Sequence, residues 1–405
     1  SANLIMVTSS LPGEGKSFSS INLAISMAME LDHTVLLIDA GDTLYFDPQS
    51  GADRRQPLLD RFYEAPYKTP NSPYPNLPWA PSPDETALNR YYVTMGPLPF
   101  QSTYTRIVGG TTYHWLGLCP RFDPASFREQ TLYGVNVDWP LQYDDLDPWY
   151  FDAEREMGVA GDMSLQGQIG IPPRSRPFPL PPIPQSYSDK VAAQAVSGLV
   201  WRDRDSDEAF PISITSTPSA RNSVPYQGRP ACSGSANCIP ICPTGAKYDA
   251  TVPLKRALGI GGDAAPSGRK PVVLLRRAVL QEVVLQDGAS GDDQPPVKEL
   301  LIRRGPSHDD DLIVRAKAYV LAIHAMETPK ILLSSRRHRQ DGVANRSGCV
   351  GRYLMDHDIA ISNARLNQPM WAYRGPRITS SIESVRDGRF RSHRAALSKL
   401  SSSVG

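Results

Sequence analysis

The sequence predicts an α/β fold, α+β overall, with a parallel β-α-β unit at the start and antiparallel strands later in the chain. Three observations carry it. Two apolar runs, residues 3–9 and 34–39, flank a glycine-rich turn and a helix-length segment. A second glycine turn, Gly109-Gly110-Thr111-Thr112, follows an apolar start at residues 107–108. Two longer β-branched runs, Val272–Leu285 and Val297–Arg304, flank the acidic, glycine-bearing turn Asp287–Asp293. Short apolar runs bounded by turn residues read as strands, and runs joined by such a turn read as an antiparallel pair. At 405 residues the chain can bury a core for two or three domains.

Taken in order, residues 3–9 and 34–39 are expected as buried strands with Ser19–Leu31 as the helix between them, a β-α-β unit. From about 43 to 105 the chain is rich in Pro, Asn, Tyr and Asp and reads as loop. Arg106–Trp115 is expected as a strand entering the glycine turn. Gln142–Glu156 is expected as a helix, since Asp144 and Asp145 precede apolar residues at helical spacing. Ile313–Ile323 reads as a strand pair ending in a turn at Ala325–Pro329, and Lys330–Arg336 begins a helix. Prolines concentrate between Pro48 and Pro240, most densely at residues 171–184. That stretch suits a rigid crossing loop between domains better than a polyproline ligand for a partner. The tail Ser392–Gly405 has no terminating element and reads as a chain cut short.

Composition excludes some functions. A net charge of +1 carries no polyanion-binding signature, so nucleic acid is not an expected partner. No apolar run reaches the roughly 18 residues of a membrane span. The start, Ser1-Ala2-Asn3-Leu4, lacks the basic region of a secretory leader.

The first glycine-rich turn has two readings. In Ser10-Leu11-Pro12-Gly13-Glu14-Gly15-Lys16-Ser17, backbone N–H groups, the Lys16 ammonium and a helix start would favour phosphate. Residues 1–39 resemble the P-loop of bacterial exopolysaccharide tyrosine autokinases, which would make Gly13, Gly15, Lys16 and Ser17 the phosphate-binding set of an ATP-binding protein. Against this, no later apolar strand ends in a second magnesium-holding aspartate, and no tyrosine cluster closes the chain. In the other reading, Gly13-x-Gly15-x-x-Phe18 is a departed dinucleotide turn, and Asp39 ends the second strand, where an acidic residue bonds a ribose hydroxyl. The first forty residues are then a junction or a substituted first β-α-β unit.

Three of the five cysteines fall within eleven residues: Cys232, Cys238 and Cys242, spaced C-x5-C-x3-C-P. Thiolates this close repel one another unless a cation neutralises them. Three ligands suit a three-iron, four-sulfur cluster, or a four-iron cluster with one foreign ligand. Zinc favours four ligands with closer cysteine pairs, and no histidine lies nearby in the sequence. The alternative is one disulfide and a spare thiol. Cys119 and Cys349 lie outside the motif and are expected as ordinary buried thiols.

Further motifs stand in a consistent order: Ile38-Asp39-Ala40-Gly41-Asp42, Arg106–Trp115, Val137-Asp138-Trp139-Pro140, Ala325–Leu333, Val350–His357 and Tyr373-Arg374-Gly375-Pro376. On these, from about 34 to 396, the chain resembles glucose–methanol–choline (GMC) oxidoreductases. The nearest subgroup is the flavin subunits of bacterial gluconate, fructose, sorbitol and glucose dehydrogenases. The resemblance implies a Rossmann-like, discontinuous FAD-binding domain at 1–160 and 245–355 and an incomplete, discontinuous, sheet-containing substrate domain at 161–244 and 356–405. It implies FAD contacts at Gly109, Gly110, Thr111 and Thr112, a covalent flavin link at His114, and adenine binding through the Val279 backbone. It places the cysteine motif on the iron–sulfur segment of the subgroup. Implied too are a sugar or polyol substrate, a cytochrome c subunit, a small export subunit and work at the periplasmic face of the inner membrane; a cytoplasmic product is the alternative. The family's C-terminal catalytic histidine segment finds no counterpart here, so no catalytic base is named.

Overall fold

A computed structural model describes residues 2–8, 34–43, 46–56, 107–113, 115–238, 241–260, 272–287, 295–304, 310–352, 354, 367, 369–371 and 374–394. The chain divides into two units, each discontinuous: Ser1–Trp115 with Asp249–Ile361, and Leu116–Tyr248 with Ser362–Gly405. The boundaries expected at 160/161, 244/245 and 355/356 thus stand against divisions at 115/116, 248/249 and 361/362.

The first unit holds the expected parallel pair. Strand β1 (Ala2–Thr8) pairs with β2 (Val35–Asp39) in the register Leu4 to Val35 and Thr8 to Asp39. The connection between them, with the expected helix Ser19–Leu31, lies outside the described residues. Parallel neighbours need such a crossover, because a tight turn can join only antiparallel strands. Two later strands complete a four-stranded sheet: β3 (Val273–Leu275) beside β2, and β7 (Ala316–Ala322) beside β1, both parallel.

Alternation along β2 separates two cores. Val35 and Leu37 pack with Leu254 and Ala257 of helix α1 (Thr251–Ala257) and with Phe46 and Val108. Leu36 and Ile38 point the other way, toward the antiparallel sheet formed by β4 (Ala278–Leu285), β5 (Val297–Arg304) and β6 (Asp310–Val314). Helix α2 (Glu327–Ser334) adds Ile331 to that second core. A strand buried on both faces needs the unbroken apolar run that β2 has.

Three expectations change. Val272–Leu285 is two strands, since Arg277 adopts φ 53° and the chain leaves the parallel sheet after β3 to start the antiparallel one at β4. Ile313–Ile323 likewise serves two sheets: β6 pairs with β5, and β7 with β1. Of the strand expected at Arg106–Trp115, the described residues 107–113 form none: Ile107 makes one parallel bridge to Asp42, and Gly110–Tyr113 forms a 3-10 turn.

The second unit is built on the helix Tyr143–Met157 and two small antiparallel pairs, Ile214–Ser216 with Ser380–Ile382 and Val200–Arg202 with Ala209–Pro211. The helix begins where the Gln142 N–H donates to the Asp145 carboxylate at 2.8 Å and ends at Gly158, whose φ of 68° closes the last turn. The proline-rich stretch is packed into this unit: Leu180 bridges Ala160, and Leu180 and Ile183 are buried. Among the described residues no helix is long and apolar enough to cross a membrane.

Candidate functional site

The first candidate site gathers where β2 ends. The buried Asp39 carboxylate accepts the Gly41 N–H at 2.7 Å, turning the chain sharply. Gly41 passes so close to Ile107 that a Cβ would lie 2.5 Å from its Cα. That approach lets Val108 donate to the Asp42 carbonyl at 3.0 Å and seats the second glycine turn against the strand exit. Gly109 follows at φ 93°, where a Cβ would meet the Tyr113 ring at 3.0 Å.

The two threonines of that turn differ. Thr112 donates to the Gly109 carbonyl and accepts the Ala250 N–H at 3.0 Å, so its hydroxyl is engaged. Thr111 is 3% exposed and its hydroxyl has no hydrogen-bond partner. A buried, unmet hydroxyl costs about 1–3 kcal/mol unless a ligand satisfies it. The residues here therefore fit a flavin nucleotide: an orphan donor at Thr111, backbone without side chains at Gly109 and Gly110, and Asp39 at the strand end. Val279 is the second residue of β4, half-buried, with its carbonyl 3.5 Å from the Gln281 amide nitrogen. His114, and Gly13, Gly15, Lys16 and Ser17 of the phosphate-loop reading, lie outside the described residues.

Asp42 adds a feature the sequence did not single out. Its carboxylate bonds Arg277 Nε at 2.7 Å and also Arg276, tying the exit of β2 to that of β3. Burial would raise its pKa, but the Arg277 hydrogen bond, the Thr43 N–H and both guanidinium charges outweigh it and hold the carboxyl below its ordinary range.

The second candidate site lies wholly in the second unit. Cys232, Cys238 and Cys242 line one small cavity together with Arg221 and Lys247. All five cysteines of the chain are free thiols. Among the described residues no histidine lines the cavity. The thiols feel one another: burial, then the charges of Cys238 and Cys242, push Cys232 up. Cys242 goes the other way. Burial opposes ionisation, but the Lys247 N–H, the Thr244 hydroxyl and the Lys247 ammonium outweigh it and hold the thiol below its ordinary value. Three converging thiols with a cationic wall fit a thiolate-bound metal cluster.

The other two cysteines divide. Cys119 is half-buried rather than buried, and desolvation pushes its pKa up to about 12. Cys349 corrects the expectation: it is exposed, at a turn where its N–H meets the Ser347 hydroxyl.

The basic wall was missed by sequence reasoning. Lys247 could have been found, five residues past Cys242 in Cys-Pro-Thr-Gly-Ala-Lys. Nothing in the sequence marks Arg221, which reaches the cavity through strand pairing.

No family model matches the chain. It is 34% identical over 373 residues to the fructose dehydrogenase large subunit of Gluconobacter japonicus, covering 90% of this chain and 61% of that protein. It is 29% identical over 289 residues to the 2-methyl-1,2-propanediol dehydrogenase of Mycolicibacterium austroafricanum, covering 70% of this chain and 46% of that protein. Among solved structures a formate oxidase aligns at 13% identity with a TM-score of 0.45, covering 85% of this chain and 51% of that one. The chain thus spans 61% and 46% of the two sequence relatives. Neither of the two sequence relatives is a kinase, and the phosphate-loop reading gains no support from them.

Proposed function

The chain belongs to the glucose–methanol–choline oxidoreductases, and we propose that it forms the flavin-binding and cysteine-bearing part of a dehydrogenase for a sugar, polyol or sugar acid. The observation that carries this reading is the 34% identity over 373 residues to a fructose dehydrogenase large subunit. FAD, when bound, supplies the hydride acceptor for a CH–OH group. On this chain the Thr111 hydroxyl meets a flavin or phosphate oxygen, and Gly109 and Gly110 allow close backbone approach. The Asp39 carboxylate at the strand end serves a ribose hydroxyl, and His114 is the proposed covalent anchor.

Cys232, Cys238 and Cys242 hold an iron–sulfur cluster in this reading. A hydride delivers two electrons, and a one-electron relay is what lets them leave singly toward a cytochrome partner. The periplasmic face of the inner membrane is the proposed site of work.

The test is direct. Purified protein carries flavin absorption, and an artificial electron acceptor is reduced by one or more members of a sugar and polyol panel. Acid precipitation leaves fluorescence in the pellet if His114 is the anchor. Colourless protein with no flavin after denaturation rejects the reading.

A further inference from the structure

Arg221 and Lys247 are buried to 1% and 2% exposure, and they face each other on one antiparallel bridge. Like charges directly opposite across a strand pair destabilise it, and buried charges need a counter-charge. Arg221 donates to a neutral acceptor, and a backbone carbonyl takes the Lys247 ammonium. Arg221 places Nε and Nη2 on the Leu116 carbonyl at 2.8 and 2.6 Å, and Lys247 Nζ reaches the Cys238 carbonyl at 2.9 Å. Arg221 Nη1 is buried and finds no hydrogen-bond partner. Among the described residues no aspartate or glutamate lines the cavity that both cations share; the ionisable acids there are the three cysteines.

We propose that Arg221, with Lys247 beside it, is the counter-charge of the cysteine-bound cluster and sets its reduction potential. The proposal rests on the iron–sulfur reading of the cysteines. An oxidised three-iron core carries one positive charge, so with three thiolates the assembly is doubly negative, matching the two buried cations. Reduction adds one electron and makes it triply negative. A fixed positive charge in a water-poor wall favours the more negative state and raises the potential. Arg221 is thus a positioning residue: it need not touch substrate or flavin, and its unpaired N–H is available to sulfur.

The chain is produced anaerobically with iron, and the cluster is titrated with dithionite, which supplies the electron, while electron paramagnetic resonance follows the oxidised three-iron signal. Arg221→Met shifts the one-electron equilibrium about tenfold toward the oxidised form, or roughly 59 mV. Arg221→Lys retains most of the wild-type value, and Lys247→Met shifts it in the same direction as Arg221→Met. A role confined to bonding Leu116 predicts altered melting temperature with an unmoved potential, which overturns the proposal. If Arg221→Met does not fold, the Arg221→Lys and Lys247→Met pair decides: unmoved in Lys247→Met, or lost in Arg221→Lys, is equally fatal. Wild-type protein lacking iron and sulfide rejects the cluster reading and the proposal with it, whereas a loaded cluster with indifferent variants rejects the proposal alone.

Discussion

Glu154 shows what one side chain can hold. It accepts from Arg121 Nε at 2.8 Å and Arg174 Nη1 at 3.0 Å, and all three side chains are buried in the second unit. Arg121 reaches Asp147 as well, and Asp147 accepts from the Ser175 hydroxyl. The helix is thereby fastened to the start of the proline-rich stretch. Glu154→Gln keeps the shape but leaves two guanidiniums short of charge, which costs about 3–5 kcal/mol in a buried pair. Asp152, on the same helix, pairs with Arg155 at the surface, where such pairs contribute about 0–1 kcal/mol. Urea unfolding of Glu154→Gln and Asp152→Asn separates the two cases: a large loss in the first and almost none in the second. Equal losses would mean the buried network is not holding the unit. Thiol chemistry gives a second contrast. Iodoacetamide at neutral pH modifies exposed Cys349 well before Cys119, whose pKa near 12 leaves almost no thiolate; peptide mass mapping over a time course reads the order.

At the level of elements, strand β2 decides both the fold and the flavin site, because its residues divide between two cores and its end carries Asp39. Leu37 is 2% exposed, and Leu37→Ala removes it from the packing against α1 at a cost of about 2–5 kcal/mol. Gly41→Ala acts differently: its Cβ meets Ile107 backbone, so the glycine turn must move away from the strand. Flavin content per protein should fall further in Gly41→Ala than in Leu37→Ala, although Leu37→Ala is the less stable protein; the reverse order rejects the role given to that approach. The pairing of β1 with β2 was legible because a strand buried on both faces must be apolar throughout. The division of residues 272–285 was not, since it turns on one backbone angle at Arg277 that no hydrophobic pattern records. The cysteine site was half legible. Its thiols announce themselves by spacing, whereas Arg221 is brought to the cavity by its bridge to Lys247 and by the Cys232 N–H bond to the neighbouring Asn222 carbonyl, neither of which a pattern records.

For the whole molecule the balance of buried carboxyls sets its response to acid. Asp42 in the first unit is held below its ordinary range, since Arg277, Thr43 and Arg276 outweigh the burial that would raise it. Asp147 in the second unit is held low in the same way, burial being outweighed by Ser175 and Arg121. A carboxyl with a depressed folded pKa adds stability that is fully present above its unfolded value of about 3.9 and is lost as pH falls through the folded one. Asp123 has the opposite sign. Burial, with the Asp387 charge behind it, raises its pKa, so its contribution is present below the unfolded value and disappears as pH rises through the folded one. Asp203, buried in the second unit, is held low too, first by its Ser206 hydrogen bond, so three lowered groups stand against one raised group, a net loss on acidification in which each unit carries its own share. Urea midpoints should therefore fall between about pH 6 and about pH 3. Asp42→Asn and Asp147→Asn each lower the midpoint at neutral pH and flatten its decline in acid, whereas Asp123→Asn raises the midpoint at neutral pH and steepens the decline. A slope unchanged in both Asp42→Asn and Asp147→Asn would place the acid sensitivity on other carboxyls.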